Sequence, residues 1–161
     1  MTTDERPVLV AYDGSDESQA AVRAAATLMG GRPLVVVSVW EPGLAMLMTP
    51  PTDELSGLTS IPPSPETMAT MDRLQRDHAA EAADAGAKIA RELGAEAEPY
   101  PVPDERDVAE TIAELAERRD AAAVVVGSRG LGRVKSSLLG STSHGLLRRT
   151  QRPVLVVREP H

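Results

Sequence analysis

Four short runs of apolar, largely β-branched residues constrain this chain more than anything else in it: Val8-Leu-Val-Ala-Tyr12, Leu34-Val-Val-Val-Ser-Val-Trp40, Ala122-Ala-Val-Val-Val126 and Val154-Leu-Val-Val157. Each is continuous rather than alternating, and each is too short for a buried helix. Strands covered on both faces look like this, and such strands belong to parallel sheets. Pro7, Pro33 and Pro153 stand just ahead of a run, where a missing N–H harms a ladder least. A fifth, weaker run from Glu96 to Val102 contains Pro99 and Pro101, which assigns it to a sheet edge.

Helical patterns fill the gaps. Ser15 is placed to cap a helix with Val22, Ala25, Ala26 and Met29 on its inner stripe, ending at Gly30-Gly31. A longer helix is expected from about Glu66 to Leu93, its inward stripe read as Met71, Leu74, His78, Ala82, Ala85, Ile89 and Leu93. Asp107 and Glu110 form an Asp version of the capping box ahead of Val108, Ile112 and Leu115. A last helix should start near Ser141 and run to about Arg149. Strands alternating with helices predict one α/β domain over residues 1–161, an open parallel sheet with helices on both faces. The pattern lapses between Glu41 and Pro65, where six of the 13 prolines fall; a connection this long is either mobile or a lid, with Leu44, Met46, Leu47 and Met48 as its apolar cover.

With no Cys, the chain cannot form disulfides, thiolate metal sites or a thiol nucleophile. No apolar run approaches the roughly 18 residues of a membrane span, and MTTDERPV has no signal-like character, so a cytoplasmic location is expected. The three histidines are far apart: His78 falls on the inner stripe, His144 one turn into the last helix, and His161 at the terminus. A His metal site is not expected. Charge is uneven. Residues 1–120 carry 23 acids and 10 bases, whereas residues 121–158 carry seven bases and no acid. Such asymmetry points to an anion site or a nucleic-acid face. For Arg148, Arg149 and Arg152, a solvated helix surface is the simpler account.

The informative segment is Gly127-Ser-Arg-Gly130-Leu-Gly132-Arg-Val-Lys-Ser-Ser-Leu-Leu-Gly140-Ser-Thr-Ser143. It leaves a buried strand and enters a helix. Glycines can turn N–H groups toward one point, and a helix start adds unpaired N–H groups and partial positive charge. Ser141, Thr142 and Ser143 offer hydroxyls; Arg129, Arg133 and Lys135 offer charge. The segment is neither a P-loop, since Arg133-Val134 follow Gly132, nor a dinucleotide fingerprint, since Lys135 stands where a third glycine belongs. Phosphate binding and an ordinary glycine-bearing connection both satisfy the spacing. Asp13, ahead of Gly14-Ser15, is similarly open: a turn and cap residue, or an acceptor for ribose or an amine.

These residues match a family. Val8 to Ser15, Val124 to Gly132, Gly140 to Ser143 and Arg152 to Arg158 resemble the universal stress proteins, and the likeness covers nearly the whole chain. Gly127, Gly130, Gly140 and Ser141 meet the glycine spacing of members that bind ATP. The resemblance implies a sheet of order 3-2-1-4-5 and a homodimer. It implies adenosine near Asp13 and Ala11, with adenine at the backbone of Val39. It also implies ribose and phosphates at Gly127, Ser128, Arg129, Gly130, Gly140, Ser141 and Thr142, with ATP, and possible Mg²⁺, as ligand. The expected role is a stress or signalling module that binds nucleotide and turns it over slowly or not at all. An adenylating enzyme of the related fold is the enzymatic alternative, but Tyr12 to Ser18 lacks that class's paired glycines. A nucleic-acid binder is disfavoured because the basic third has no aromatic to stack on a base.

Overall fold

The computed structural model describes residues 5–43, 62–104, 106–129 and 139–159. Gly130, Gly132, Arg133, Lys135 and the apolar residues from Leu44 to Met48 lie outside them. Within the described residues, strands and helices alternate: β1 (Val8–Ala11), α1 (Asp16–Leu28), β2 (Leu34–Trp40), α2 (Pro65–Glu92), β3 (Ala97–Pro103), α3 (Val108–Arg118), β4 (Ala123–Gly127), α4 (Ser141–Arg149) and β5 (Val154–Val157). The strands form one parallel sheet of order β3-β2-β1-β4-β5.

Each strand feeds side chains alternately to two cores. Val8, Val10, Tyr12, Val36 and Val125 point to α1 and α2, meeting Ala21, Val22, Ala87 and Ala90. Leu9, Val35, Val37, Val124 and Val126 point to α3 and α4, meeting Ile112, Leu115, Ala116 and Leu146. Burial on both faces explains why the strand sequences are unbroken in hydrophobicity. Without phenylalanine to fill space, the helices come in close on small residues. A Cβ at Gly86 of α2 would sit 2.8 Å from Val36 Cγ1 and 2.9 Å from the Tyr12 ring.

That close approach corrects the expected face of α2. Its buried residues are Ala79, Ala83, Gly86, Ala87 and Ala90, with the expected Ala82 and Ile89 packed partly buried beside them, whereas Met71, Leu74 and Leu93 are substantially exposed and His78 and Ala85 are exposed. The alanine stripe wins because only small side chains let the helix backbone reach the sheet. Burial begins at Ala79, so the first half of α2 runs on beyond the sheet.

Backbone polarity explains both edges. Asp104 N donates to Trp40 O at 2.7 Å and Leu34 N to Glu96 O at 2.8 Å, so even-numbered residues of β3 face β2. Pro99, Pro101 and Pro103 therefore turn their missing donors to the free edge, which blunts it. At the opposite edge, Val124 N donates to Pro153 O and Ser128 N to Val157 O, so Leu155 faces β4 while Val154 and Val156 face outward.

Candidate functional site

The strand order reverses between β1 and β4: α1 and α2 lie on one face, α3 and α4 on the other. A crevice opens at the carboxyl ends of strands beside such a reversal. Here it is a cleft of about 470 Å³ lined from three strand ends, four helices and the loop before α4.

The end of β1 is held by serines. Ser38 Oγ donates to Tyr12 O at 2.7 Å, and Ser18 Oγ donates to Ser15 O at 2.9 Å. Asp13 Oδ1 accepts from Ser15 N at 3.0 Å and from Ser15 Oγ, which in turn accepts from Ser18 N at 3.2 Å as the cap of α1. Asp13 is thus a turn residue that orients a cap, with Gly14 supplying the left-handed φ of 84° that reverses the chain. It also sits exposed on the cleft wall.

Val39 is half-buried on the same wall. Tyr12 N donates to Val37 O, so odd-numbered residues of β2 face β1. Since β1 ends at Ala11, opposite Val37, the N–H and C=O of Val39 turn toward the space beyond its end.

On the other side of β1, Gly127 and Arg129 line the cleft with Gly140, Ser141 and Thr142. Gly140 caps α4 with no side chain, unlike Ser15, Ser64 and Asp107, whose oxygens cap α1, α2 and α3. The first-turn N–H groups of α4 are therefore left to whatever enters the cleft, together with the partial positive charge of the helix end. Ser128 is different. It is buried, does not line the cleft, and bonds Val157 O through its N–H and Gly140 N through its carbonyl. Ser143 also spends its hydroxyl internally, on Gly140 O at 3.0 Å and Ser128 O at 3.3 Å.

The cleft therefore gathers Ala11, Asp13, Val39, Gly127, Arg129, Gly140, Ser141 and Thr142, leaves Ser128 beneath, and leaves Gly130 outside the described residues. Sequence reading missed Trp40, Gln75, His78, Val108 and Ile112. Gln75, His78, Ala79 and Ala82 share one side of α2 at helical spacing. Polarity along that side changes from alanine to Gln and His where the sheet ends, a signal that could have marked them.

Two of the seven bases in residues 121–158 are paired with acids of α3 and its ends. Arg149 pairs with Asp107 at 2.6 Å, and Arg152 with Glu117 at 2.8 Å and Asp120 at 2.7 Å. Solvation alone, expected for these two arginines, is replaced by ion pairs that tie α4 and β5 to α3. Arg152 also holds the Glu117 carboxyl below its ordinary range, chiefly by hydrogen bonding.

Comparison with known proteins agrees with this architecture. The chain is 32% identical over 155 residues to the universal stress protein Rv2623 of Mycobacterium tuberculosis, covering 94% of this chain and 47% of that one. It thus spans about half the length of that relative. It is 32% identical over 158 residues to universal stress protein YxiE of Bacillus subtilis, covering 94% and 97%. The fold matches universal stress protein UspA from Lactobacillus plantarum (TM-score 0.74, 17% identity, 98% and 100% covered). It also matches the Archaeoglobus fulgidus universal stress protein in complex with dAMP (TM-score 0.62, 21% identity, 94% and 96% covered). The model of the universal stress protein family matches residues 5–158, and the chain belongs to that family.

Proposed function

We propose that the protein binds an adenine nucleotide, ATP in the first instance, and that it acts in the cytoplasm as a stress or signalling module. The observation that carries this reading is the pairing of an uncapped α4 N-terminus with Arg129 across one cleft. Its volume of about 470 Å³ lies within the range of small-molecule sites. The donor set suits the group: first-turn N–H groups, the Ser141 and Thr142 hydroxyls and one guanidinium for phosphates, and outward backbone groups at Val39 for a base edge. Adjacent strands are about 4.8 Å apart, so β2 and β4 are separated by roughly the reach from a base to its phosphates. Ala11 and Asp13 lie between, in position for the ribose. The relative solved with dAMP supports the ligand class.

Binding rather than rapid turnover is the proposed task. The acids of the cleft are Asp13, already engaged by Ser15, and Glu41. Among the described residues no group of three or more His, Asp or Glu could cage a metal. Mg²⁺ would therefore come with the phosphates, with Asp13 the nearest carboxylate on that wall. No helix among the described residues is long and apolar enough to cross a membrane. Homodimerisation through the outward edge of β5 completes the proposal.

The test uses Trp40, the one tryptophan of the chain, which lines the cleft. ATP should change its fluorescence saturably, and denaturing the purified protein should release adenine nucleotide for mass spectrometry. Gly140→Val, which crowds the entrance of α4, should weaken ATP at least about tenfold, about 1.4 kcal/mol, with circular dichroism unchanged. Undiminished binding in that variant would place the ligand elsewhere.

A further inference from the structure

A helix is normally capped by a side-chain oxygen that accepts from the N–H at its third position. In α4 the direction is reversed. The cap is Gly140, and the third residue, Ser143, sends its hydroxyl back as a donor to Gly140 O and, more weakly, to Ser128 O. Gly140 N donates to the same Ser128 carbonyl at 2.6 Å. Ser143 is 1% exposed and Ser128 is 5% exposed, so these bonds are shielded from water. Shielding makes an unmade bond costly, which holds the arrangement to one geometry.

The consequence is chemical as well as structural. A Ser or Asp cap at position 140 would hold the turn by consuming a first-turn N–H. The serine at position 143 holds the same turn while consuming only carbonyl oxygens. It fixes the start of α4 against the end of β4 and leaves the anion-facing donors unspent. We propose that Ser143 is a positioning residue for phosphate recognition: it lies at the cleft wall with its hydroxyl spent on backbone carbonyls, and so fixes the α4 N–H groups relative to the end of β4. This rests on the nucleotide reading of the cleft and deepens it, since it assigns a residue to the phosphate end alone.

The prediction is a change in ratio. Ser143→Ala removes the donor, so the turn is held only by Gly140 N on Ser128 O and His144 N on Gly140 O, and the entrance of α4 can drift. Adenosine, which has no phosphate, should bind the variant within about twofold of wild type, while ATP should weaken about tenfold or more, the scale of a lost hydrogen bond to a charged group. Trp40 fluorescence or calorimetry reads both ligands. A merely structural serine would lower the melting temperature and weaken both ligands by the same factor, and that result overturns the proposal, as does ATP binding that is unchanged. Should Ser143→Ala fail to fold, Ser143→Cys has nearly the same volume and a weaker donor, and must give the same ordering. Wild type that binds adenosine and ATP equally well refutes the phosphate-positioning role and leaves an adenosine site standing. Wild type that binds neither refutes the nucleotide reading itself.

Discussion

A Cβ at position 127 would lie 2.8 Å from the carbonyl carbon of Glu17 and 2.9 Å from its oxygen. Gly127 ends β4, and the first turn of α1 crosses directly over it. Backbone cannot yield as the tip of a flexible side chain can. The glycine is therefore demanded by packing at the strand end, independently of any anion nearby. Gly127→Ala should destabilise the fold by about 1–3 kcal/mol, the ordinary cost of overpacking. For a chain of this size that is a fall of roughly 2–10 °C in melting temperature. Denaturant titration with an unchanged midpoint would contradict the close approach.

The ion pairs of Arg152 give a prediction at acid pH. Hydrogen bonding to this guanidinium lowers the Glu117 carboxyl pKa in the folded state. A lowered folded pKa means stability that is present above the unfolded value, about 4.3, and lost as pH falls through the depressed one. Arg152→Ala should therefore reduce the denaturation midpoint near neutrality, and the gap from wild type should narrow below about pH 4. A gap that is constant from pH 7 to about pH 3 would assign the effect of Arg152 to packing rather than charge.

The extent of the fold that was legible follows from the range of the interactions involved. Ser15 and Asp107 cap their helices as the sequence predicts, because a cap acts within three residues. Pro99 and Pro101 identify the edge strand because a missing N–H is a local fact with a topological consequence. The face of α2 is less legible. Periodicity weights Met71, Leu74 and Leu93 above alanine, but the sheet selects Ala83, Gly86 and Ala87 for their smallness. The sequence leaves Asp13 open between turn and ligand, and the fold shows it orienting Ser15 while it stands on the cleft wall; the Ser143 hydroxyl, offered as a ligand donor, faces backbone instead. Hydrogen-bond direction is a three-dimensional property that spacing does not carry.

Tyr12 gives a prediction at the alkaline end. Its side chain is 7% exposed, and burial, reinforced by the charge of Asp13, raises its phenol above the ordinary value of 10.0. A raised folded pKa means the native state keeps the proton after the unfolded chain has lost it. Stability tied to this group is complete below about pH 10 and is lost as pH rises through the raised value. Urea midpoints should therefore fall above about pH 10, and Tyr12→Phe should flatten part of that slope. Identical slopes in the two proteins would mean that other groups govern the alkaline limb.

The last prediction concerns the free edge of β5. Val154, Leu155, Val156 and Val157 are each half-buried, and the strand contains neither proline nor charge. Leu155 directs its backbone groups to β4, while Val154 and Val156 direct theirs outward. An apolar edge of this kind, unpaired among the described residues, invites pairing, whereas the prolines of β3 discourage it. The same strand of a second copy, antiparallel across a two-fold axis, would satisfy both edges in one closed contact. Val156→Pro removes an outward donor without touching the β4 ladder, and Val156→Lys places a charge on the edge strand. Either should shift the protein toward monomer at micromolar concentration while circular dichroism is preserved. Leu155→Pro is the contrasting control: it removes a donor that faces β4 and should destabilise the fold itself. Sedimentation velocity decides the matter. Monomeric wild type would refute the interface, and dimers that persist in both Val156 variants would move it to another surface.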